Sequence, residues 1–327
     1  MKTYSRLQNG RRILSEYEVV SSDLHPNYPS RFELGPGSPV ARWYAQHREG
    51  SPLQVRTWET FSDPAQTTYQ VYTSRQDRQE QVLDTLFDEI DETGYDDGLT
   101  TGWLSWLHDH YAPLRYPFHG MQMLAAYVAQ MAPSSKITNC AAFQAGNELR
   151  CGQRLAYRTA QLLAHRPGPD PAEHRASWER AACFQPLREL VERALVTYDW
   201  AESLVLLDLV VEPILDRWLN HELAVTLGGL NGDSILRSIH FSLAQDSRWH
   251  RDWSSALLHL AIDDDAGNRE LVQQWLLRWR PLAHAALEAL ASTGADAPVP
   301  IDGAAGAGMR EWLATNVWGA LGLEVPG

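Results

Sequence analysis

Residues 234–261 carry the most regular apolar spacing in the chain. Ile239, Leu243, Asp246, His250, Trp253, Leu257 and Leu260 recur alternately every four and three positions. That period places all of them on one face of a helix, whereas a strand would divide them between two faces. A second stripe runs through residues 136–164, with Ile137, Ala141, Gln144, Glu148, Cys151 and Leu155 at the same spacing. A third, over 197–224, joins Trp200, Leu204, Leu207, Val211, Leu215 and Trp218. Leu206, Leu209 and Val210 make its other sides apolar too, so this helix belongs at the centre of the fold.

The remaining elements follow from the same signals. Asp63-Pro64 reads as an N-cap with proline at the first helical position, opening a helix of about thirty residues that Thr93-Gly94 stops. Further helices are expected over 97–112, 116–131, from 185, and over 266–290, with a connection at 165–183 and a break from Gly228-Gly229 to Gly232-Asp233. No strand signal of useful length and no repeat of 20–50 residues is present. The fold class is all-α. Residues 1–60 are rich in proline and glycine but also hold Tyr4, Tyr17, Tyr28, Phe32, Trp43, Tyr44 and Trp58. A disordered tail would lack these rings, so the segment reads as an ordered arm, lying either on another chain or on its own domain. Residues 61–290 form the helical domain. Residues 291–309 read as a flexible linker, and Trp312 to Leu323 as a short docking helix.

The net charge of −13, with no run of more than two basic residues, argues against nucleic-acid binding. The 13 tryptophans point to thick helix packing or a large protein interface. Cys140, Cys151 and Cys183 are an odd number without a C-x-x-C pair, which fits buried reduced thiols in a cytosolic protein. The N-terminus lacks an apolar signal segment. The longest uncharged stretch, Tyr116 to Ser135, holds Pro117, His119 and Gly120 and reads as a core helix, not a membrane span. A cytoplasmic location is expected.

A carboxylate on an apolar stripe is costly unless it is paired or protonated, so Glu148 and Asp246 are informative. Buried ion pairs with Arg150, Arg154, Arg248 or Arg251 would account for them. A metal site is the sharper alternative. Asn147-Glu148-Leu149-Arg150-Cys151 and Gln245-Asp246-Ser247-Arg248-Trp249 would each read E-x-x-H with histidine at 151 and with Glu and His at 246 and 249. That pair of motifs on two helices belongs to the ferritin-like di-iron carboxylate proteins. Here both histidines are missing, and His250 is the only near substitute. Nucleotide-binding loops, the G-x-S-x-G nucleophile and H-E-x-x-H are absent. His108 and His110 lack ligand spacing and read as surface residues. Asp263 to Asp265 has the wrong spacing for a calcium loop. No catalytic, cofactor-binding or metal residue is assigned to this chain.

Several segments, in order, resemble the beta subunit of the hydroxylase component of bacterial multicomponent monooxygenases, in the branch acting on toluene and related aromatics or on alkenes such as isoprene. They are Ser15-Glu16-Tyr17-Glu18-Val19-Val20-Ser21, Gly50-Ser51-Pro52-Leu53, Pro113-Leu114-Arg115-Tyr116-Pro117-Phe118-His119, Ala126-Tyr127-Val128-Ala129-Gln130-Met131-Ala132-Pro133, Ile137-Thr138-Asn139-Cys140, Ala156-Tyr157-Arg158-Thr159 and Trp279-Arg280-Pro281-Leu282-Ala283. The resemblance implies a ferritin-like bundle that has lost its iron ligands, keeping the arginine of D-E-x-R-H but not the histidine. It implies a di-iron centre in an alpha partner and a dimer of alpha-beta-gamma units. The arm and long helices of this chain would pack on alpha. An effector protein, a Rieske-type ferredoxin and an NADH reductase would be transient partners. The complex would use O2 and NADH-derived electrons to hydroxylate or epoxidise a hydrocarbon. Two features depart from the pattern: Glu212 stands where close relatives carry a basic residue, as if altering an interface salt bridge, and the tail after 291 is longer. Two rival readings remain open: a di-metal oxidase in its own right, using Glu148, Asp246, Glu212 and His250, and a helical binding module without an oxygenase partner.

Overall fold

The segment without a polar face lies at the centre of the molecule, as its pattern requires. In the computed structural model, which describes residues 15–23, 38–165, 170–301 and 304–325, every residue from Trp200 to Asp216 is buried. Helices surround this rod, and no strand occurs among the described residues.

In chain order, α1 spans Glu16–Asp23 and α2 Pro39–Tyr44. The long α3 spans Tyr69–Thr93, and α4 spans Thr101–Trp106. A hairpin follows, α5 over Arg115–Met131 and α6 over Ser135–His165. Then come α7 over Pro171–Arg180 and α8 over Gln185–Leu195. The central rod is α9 (Trp200–Leu206), α10 (Glu212–Asp216) and α11 (Gly228–Leu230), joined by π-helical stretches at Leu207–Val211 and Arg217–Leu227. α12 spans Ser234–Asp264, α13 Ala266–Thr293 and α14 Ala305–Trp312. α12 packs on α3, α6, α13 and the rod, and so brings the two acid-bearing stripes face to face. None of the described helices is long and apolar enough to cross a membrane.

Several boundaries differ from expectation for local reasons. α3 begins at Tyr69, capped by Thr68, whose hydroxyl accepts from Val71 N. Asp63 does not cap it. Its carboxylate is buried, accepts from the Ala65 and Thr67 amides at 3.0 and 2.8 Å, and so folds the turn that precedes the helix. The stop at Gly94 holds, with φ at 64°, a left-handed conformation that favours glycine. The helix expected over 97–112 is divided into a 3-10 turn at Tyr95–Gly98, α4, a π turn at Leu107–Tyr111 and a 3-10 turn at Ala112–Leu114. The connection at 165–183 contains α7. The break at Gly228-Gly229 is instead helix, and the chain turns at Gly232, where φ is 79°.

The described parts of the arm cover this chain's own bundle. α1 packs on α6; Tyr17 and Ser21 are buried, and the Asp63 amide donates to the Tyr17 hydroxyl at 3.0 Å. Leu53, Val55 and Phe61 enter the core. Tyr4, Tyr28 and Phe32 lie outside the described residues. The tail is also ordered where a linker was expected: α14 runs on as a π stretch at Leu313–Trp318. It buries Met309, Leu313, Val317 and Trp318, and the Trp318 indole donates to the Leu209 carbonyl at 2.8 Å. Small residues make this close docking possible.

His108 is buried, against the surface placement that sequence suggests, and His110 is half-buried. The His108 ring lies parallel to that of His174 on α7, with centroids 5.6 Å apart. Burial, then Arg115 and His108, push His174 down from 6.5 to about 4. The fold therefore favours the neutral ring. Its contribution is complete above pH 6.5 and is lost as pH falls towards 4, because the unfolded chain takes up a proton that the folded chain refuses. Thermal melts should show an acid destabilisation in this window, and His174→Phe should reduce it by one residue's share, since burial also pushes His240 and His250 down to about 3. An unchanged pH profile in that variant would remove His174 as the cause.

Candidate functional site

α6, α10 and α12 each turn a carboxylate or imidazole into the same core volume. Helical spacing aims them: Gln144, Glu148 and Cys151 share one face of α6, Asp246 and His250 one face of α12, and Asp208 and Glu212 lie one turn apart on the rod. Two polar networks result.

The first is an ion-pair chain. Asp246 accepts from Arg150 Nη1 at 2.8 Å and from Gln76 Nε2 at 2.8 Å. Arg150 also donates to Glu80 on α3 at 2.5 Å and to Ser242 at 3.0 Å. Arg154 bonds both Glu80 and Asp84. Burial raises the Glu80 pKa, but hydrogen bonds from Arg154 and Arg150 outweigh it and hold the carboxyl below its usual range. Asp246 thus has the buried arginine partner that its sequence position called for. Arg251 is engaged with Asp216 at 2.6 Å, and Arg248 is exposed.

The second network has no arginine at its centre. His250 Nδ1 is 2.6 Å from Glu212 Oε1 and 3.6 Å from Glu148 Oε1, and its Nε2 is 3.0 Å from Asn147 Nδ2. Gln144 donates to Asp208 at 2.6 Å and to Glu212 at 3.4 Å. All six side chains are buried. Glu148 therefore departs from the expected arginine pair: it faces acids and an imidazole, and its Oε1 accepts no hydrogen bond. Burial first, and then the charges of Glu212 and Asp208, push Glu148 well above the ordinary carboxyl value. Burial and Glu212 do the same to Asp208, and burial raises Glu212. Burial pushes His250 down to about 3. Glu212 is a core residue, 3% exposed, so it forms no interface salt bridge within reach of another chain.

The positions that lack histidine are filled in ways that exclude a second metal. Cys151 is buried, and burial raises its thiol well above the ordinary value. The Trp249 indole donates to both oxygens of Asp63 at 3.2 and 3.3 Å, under the Arg75 guanidinium at 5.1 Å. A di-iron carboxylate centre needs about six ligands with an imidazole for each metal. With one imidazole, with Asp246 held by Arg150, and with Trp249 pinned to Asp63, these residues do not fit one. Glu148, Glu212 and His250 nonetheless bring one ligand atom each within 4.8 Å of one another.

Asp208 escaped the sequence reading. Its signal was there: an isolated acid in an otherwise apolar run, four residues before Glu212. Gln144 and Asn147 were visible on the α6 stripe or in its motif, but their partners were not.

Removing one member of a buried ion pair leaves an uncompensated charge, at a cost of about 3 kcal/mol or more. Asp246→Ala should lower the unfolding free energy by somewhat less, about 2 kcal/mol in urea titration, since Arg150 is 8% exposed but keeps Glu80 as a partner. A wild-type midpoint would show that the bridge does not hold α6 to α12.

Residues 43–265 match the family model described as methane/phenol/alkene hydroxylase. The chain is 40% identical over 296 residues to the hydroxylase component subunit beta of the toluene-4-monooxygenase system of Ectopseudomonas mendocina, covering 89% of this chain and 90% of that protein. It is 26% identical to the hydroxylase component small subunit of propane 2-monooxygenase from Gordonia sp. (strain TY-5), over 86% of this chain and 77% of the relative. Among solved structures, it superposes on a chain of toluene 4-monooxygenase, solved with toluene in the resting active site, with a TM-score of 0.83 and 38% identity, covering 90% of this chain and 98% of that one. A chain of phenol hydroxylase from Pseudomonas sp. OX1 shares the fold, with a TM-score of 0.83 at 22% identity, over 97% and 93% of the two chains. The helical bundle, its displaced ligand positions and these likenesses agree: the chain belongs to the methane/phenol/alkene hydroxylase family, as a hydroxylase-component subunit of a multicomponent monooxygenase.

Proposed function

We propose that this chain is the non-catalytic beta subunit of such a hydroxylase, and that oxygen chemistry takes place at a di-iron centre in an alpha partner. The observation that carries the reading is the occupation of the two motif positions. Trp249 is locked to Asp63, and Asp246 is consumed by Arg150, so the bundle keeps its acid-bearing helices without a ligand set for oxygen activation.

The complex would use O2 and electrons from NADH to hydroxylate or epoxidise a hydrocarbon. The 40% identity to a toluene-4-monooxygenase subunit favours an aromatic substrate. Alpha and gamma chains would complete a dimer of alpha-beta-gamma units in the cytoplasm. An effector protein, a Rieske-type ferredoxin and an NADH reductase would engage it in turn. Exposed Tyr69, Val82 and Phe241 would offer apolar surface to alpha. An obligate interface of this kind buries upwards of about 2,000 Å².

Co-expression with a neighbouring alpha-type chain carrying two E-x-x-H helices tests the assignment. The two should co-purify with NADH-dependent oxygenase activity once the electron-transfer proteins are added, and iron should follow alpha. A chain that remains monomeric beside that partner would sink the reading. The double variant Cys151→His/Trp249→His should give no oxygenase turnover by this chain alone, because Asp246 remains held by Arg150. Turnover by that variant without alpha would place the missing chemistry in histidine count alone.

A further inference from the structure

Glu148, Asp208 and Glu212 meet in the core with one neutral imidazole among them. The nearby arginines are engaged elsewhere, Arg150 with Asp246 and Glu80, and Arg251 with Asp216. Buried carboxyl groups are met either by a proton or by a counter-charge. The unpartnered Oε1 of Glu148 points towards the same place as His250 Nδ1 and Glu212 Oε1. We propose that Glu148, Glu212 and His250 bind a single divalent transition-metal ion, of the Zn2+, Mn2+ or Fe2+ class, that serves a structural role in this subunit.

The donor set fits that class. Two carboxylates and an imidazole suit borderline metals, and two negative charges neutralise one divalent cation. Ligand atoms about 2.1 Å from an ion lie roughly 3–3.5 Å apart. His250 Nδ1 stands 2.6 Å from Glu212 Oε1 and 3.6 Å from Glu148 Oε1, so an ion would replace the proton of the first pair and spread it to about 3 Å. A cavity of about 10 Å³, lined by Glu212 of the three but not by Glu148 or His250, adjoins the cluster and has room for about one water. With its amide turned so that the unpartnered Oδ1 faces Nε2, Asn147 would accept the second ring N–H and orient the imidazole as outer partners of metal-bound histidines do. One ion fits and two do not, since Asp246 and Trp249 are committed elsewhere. Three protein ligands leave a coordination place open, as four-ligand structural zinc sites do not; the structural role follows instead from burial, since the three side chains are no more than 3% exposed and the adjoining cavity holds only about one water. The proposal thus revises the metal-free expectation from sequence, and it leaves the oxygen chemistry with alpha.

The assembled hydroxylase, passed through chelator and desalted, should retain one more divalent ion per copy of this chain than the same complex carrying Glu148→Gln/Glu212→Gln, by elemental analysis. Equal metal content in the two folded complexes overturns the proposal. If the double variant does not assemble, the full-length wild-type chain is titrated with Co2+. A visible ligand-field band, saturating at one ion per chain, should appear with a Tm rise of about 4 °C at 100-fold excess over Kd. Absence of both band and shift overturns it. Co-purification with alpha reads the subunit role separately, so either idea can fail without the other.

Discussion

A carboxylate inside a helical bundle must meet a cation or a proton, and this molecule is arranged around that demand. Asp246 meets Arg150, which also holds Glu80, so a single guanidinium ties α12, α6 and α3 together. Arg158 and Asp96 repeat the solution at the other end of α6, at 2.6 Å and almost fully buried. These bridges fix the rotation of each helix about its own axis. An apolar stripe alone would leave that rotation loose, because one leucine packs much like the next. The acids of the second network then inherit their position from the first.

Trp249 shows how a core position can tie the bundle to the segment before it. Its ring takes the volume of an imidazole and more, and its indole proton engages Asp63 from the segment that follows the arm. The replacement therefore does more than delete a ligand. It turns that position into an anchor between the bundle and the turn that Tyr17 also touches, so core and arm are folded as one piece.

The helix stripes were legible because period and burial coincide: Ile239, Leu243, Trp253 and Leu257 are all buried as their spacing requires. The centrality of 200–216 followed from its lack of any polar face. Boundaries were less legible. Asp63-Pro64 carries the composition of a cap, and its carboxylate does close a local turn on the Ala65 and Thr67 amides, but it also takes the Trp249 indole from almost two hundred residues away, and the helix waits for Thr68. The Gly- and Ala-rich tail resembles a linker in composition, yet small residues serve equally well for close packing on α13. In the site, the inward aim of Glu148 was readable from helical geometry. That its neighbours would be Glu212, Asp208 and His250, with no arginine, depended on the crossing of three helices, which one-dimensional spacing does not encode.

The Trp318 indole bonded to the Leu209 carbonyl has a consequence for the order of synthesis. A π-helical stretch shifts its hydrogen-bond register, and Leu209, within it, accepts this bond deep in the core. The donor lies 109 residues further along the chain. Until residue 318 has been made, the middle of the bundle lacks both that proton and the ring that covers it. The core around Leu209 therefore closes late, whatever the local stability of the rod.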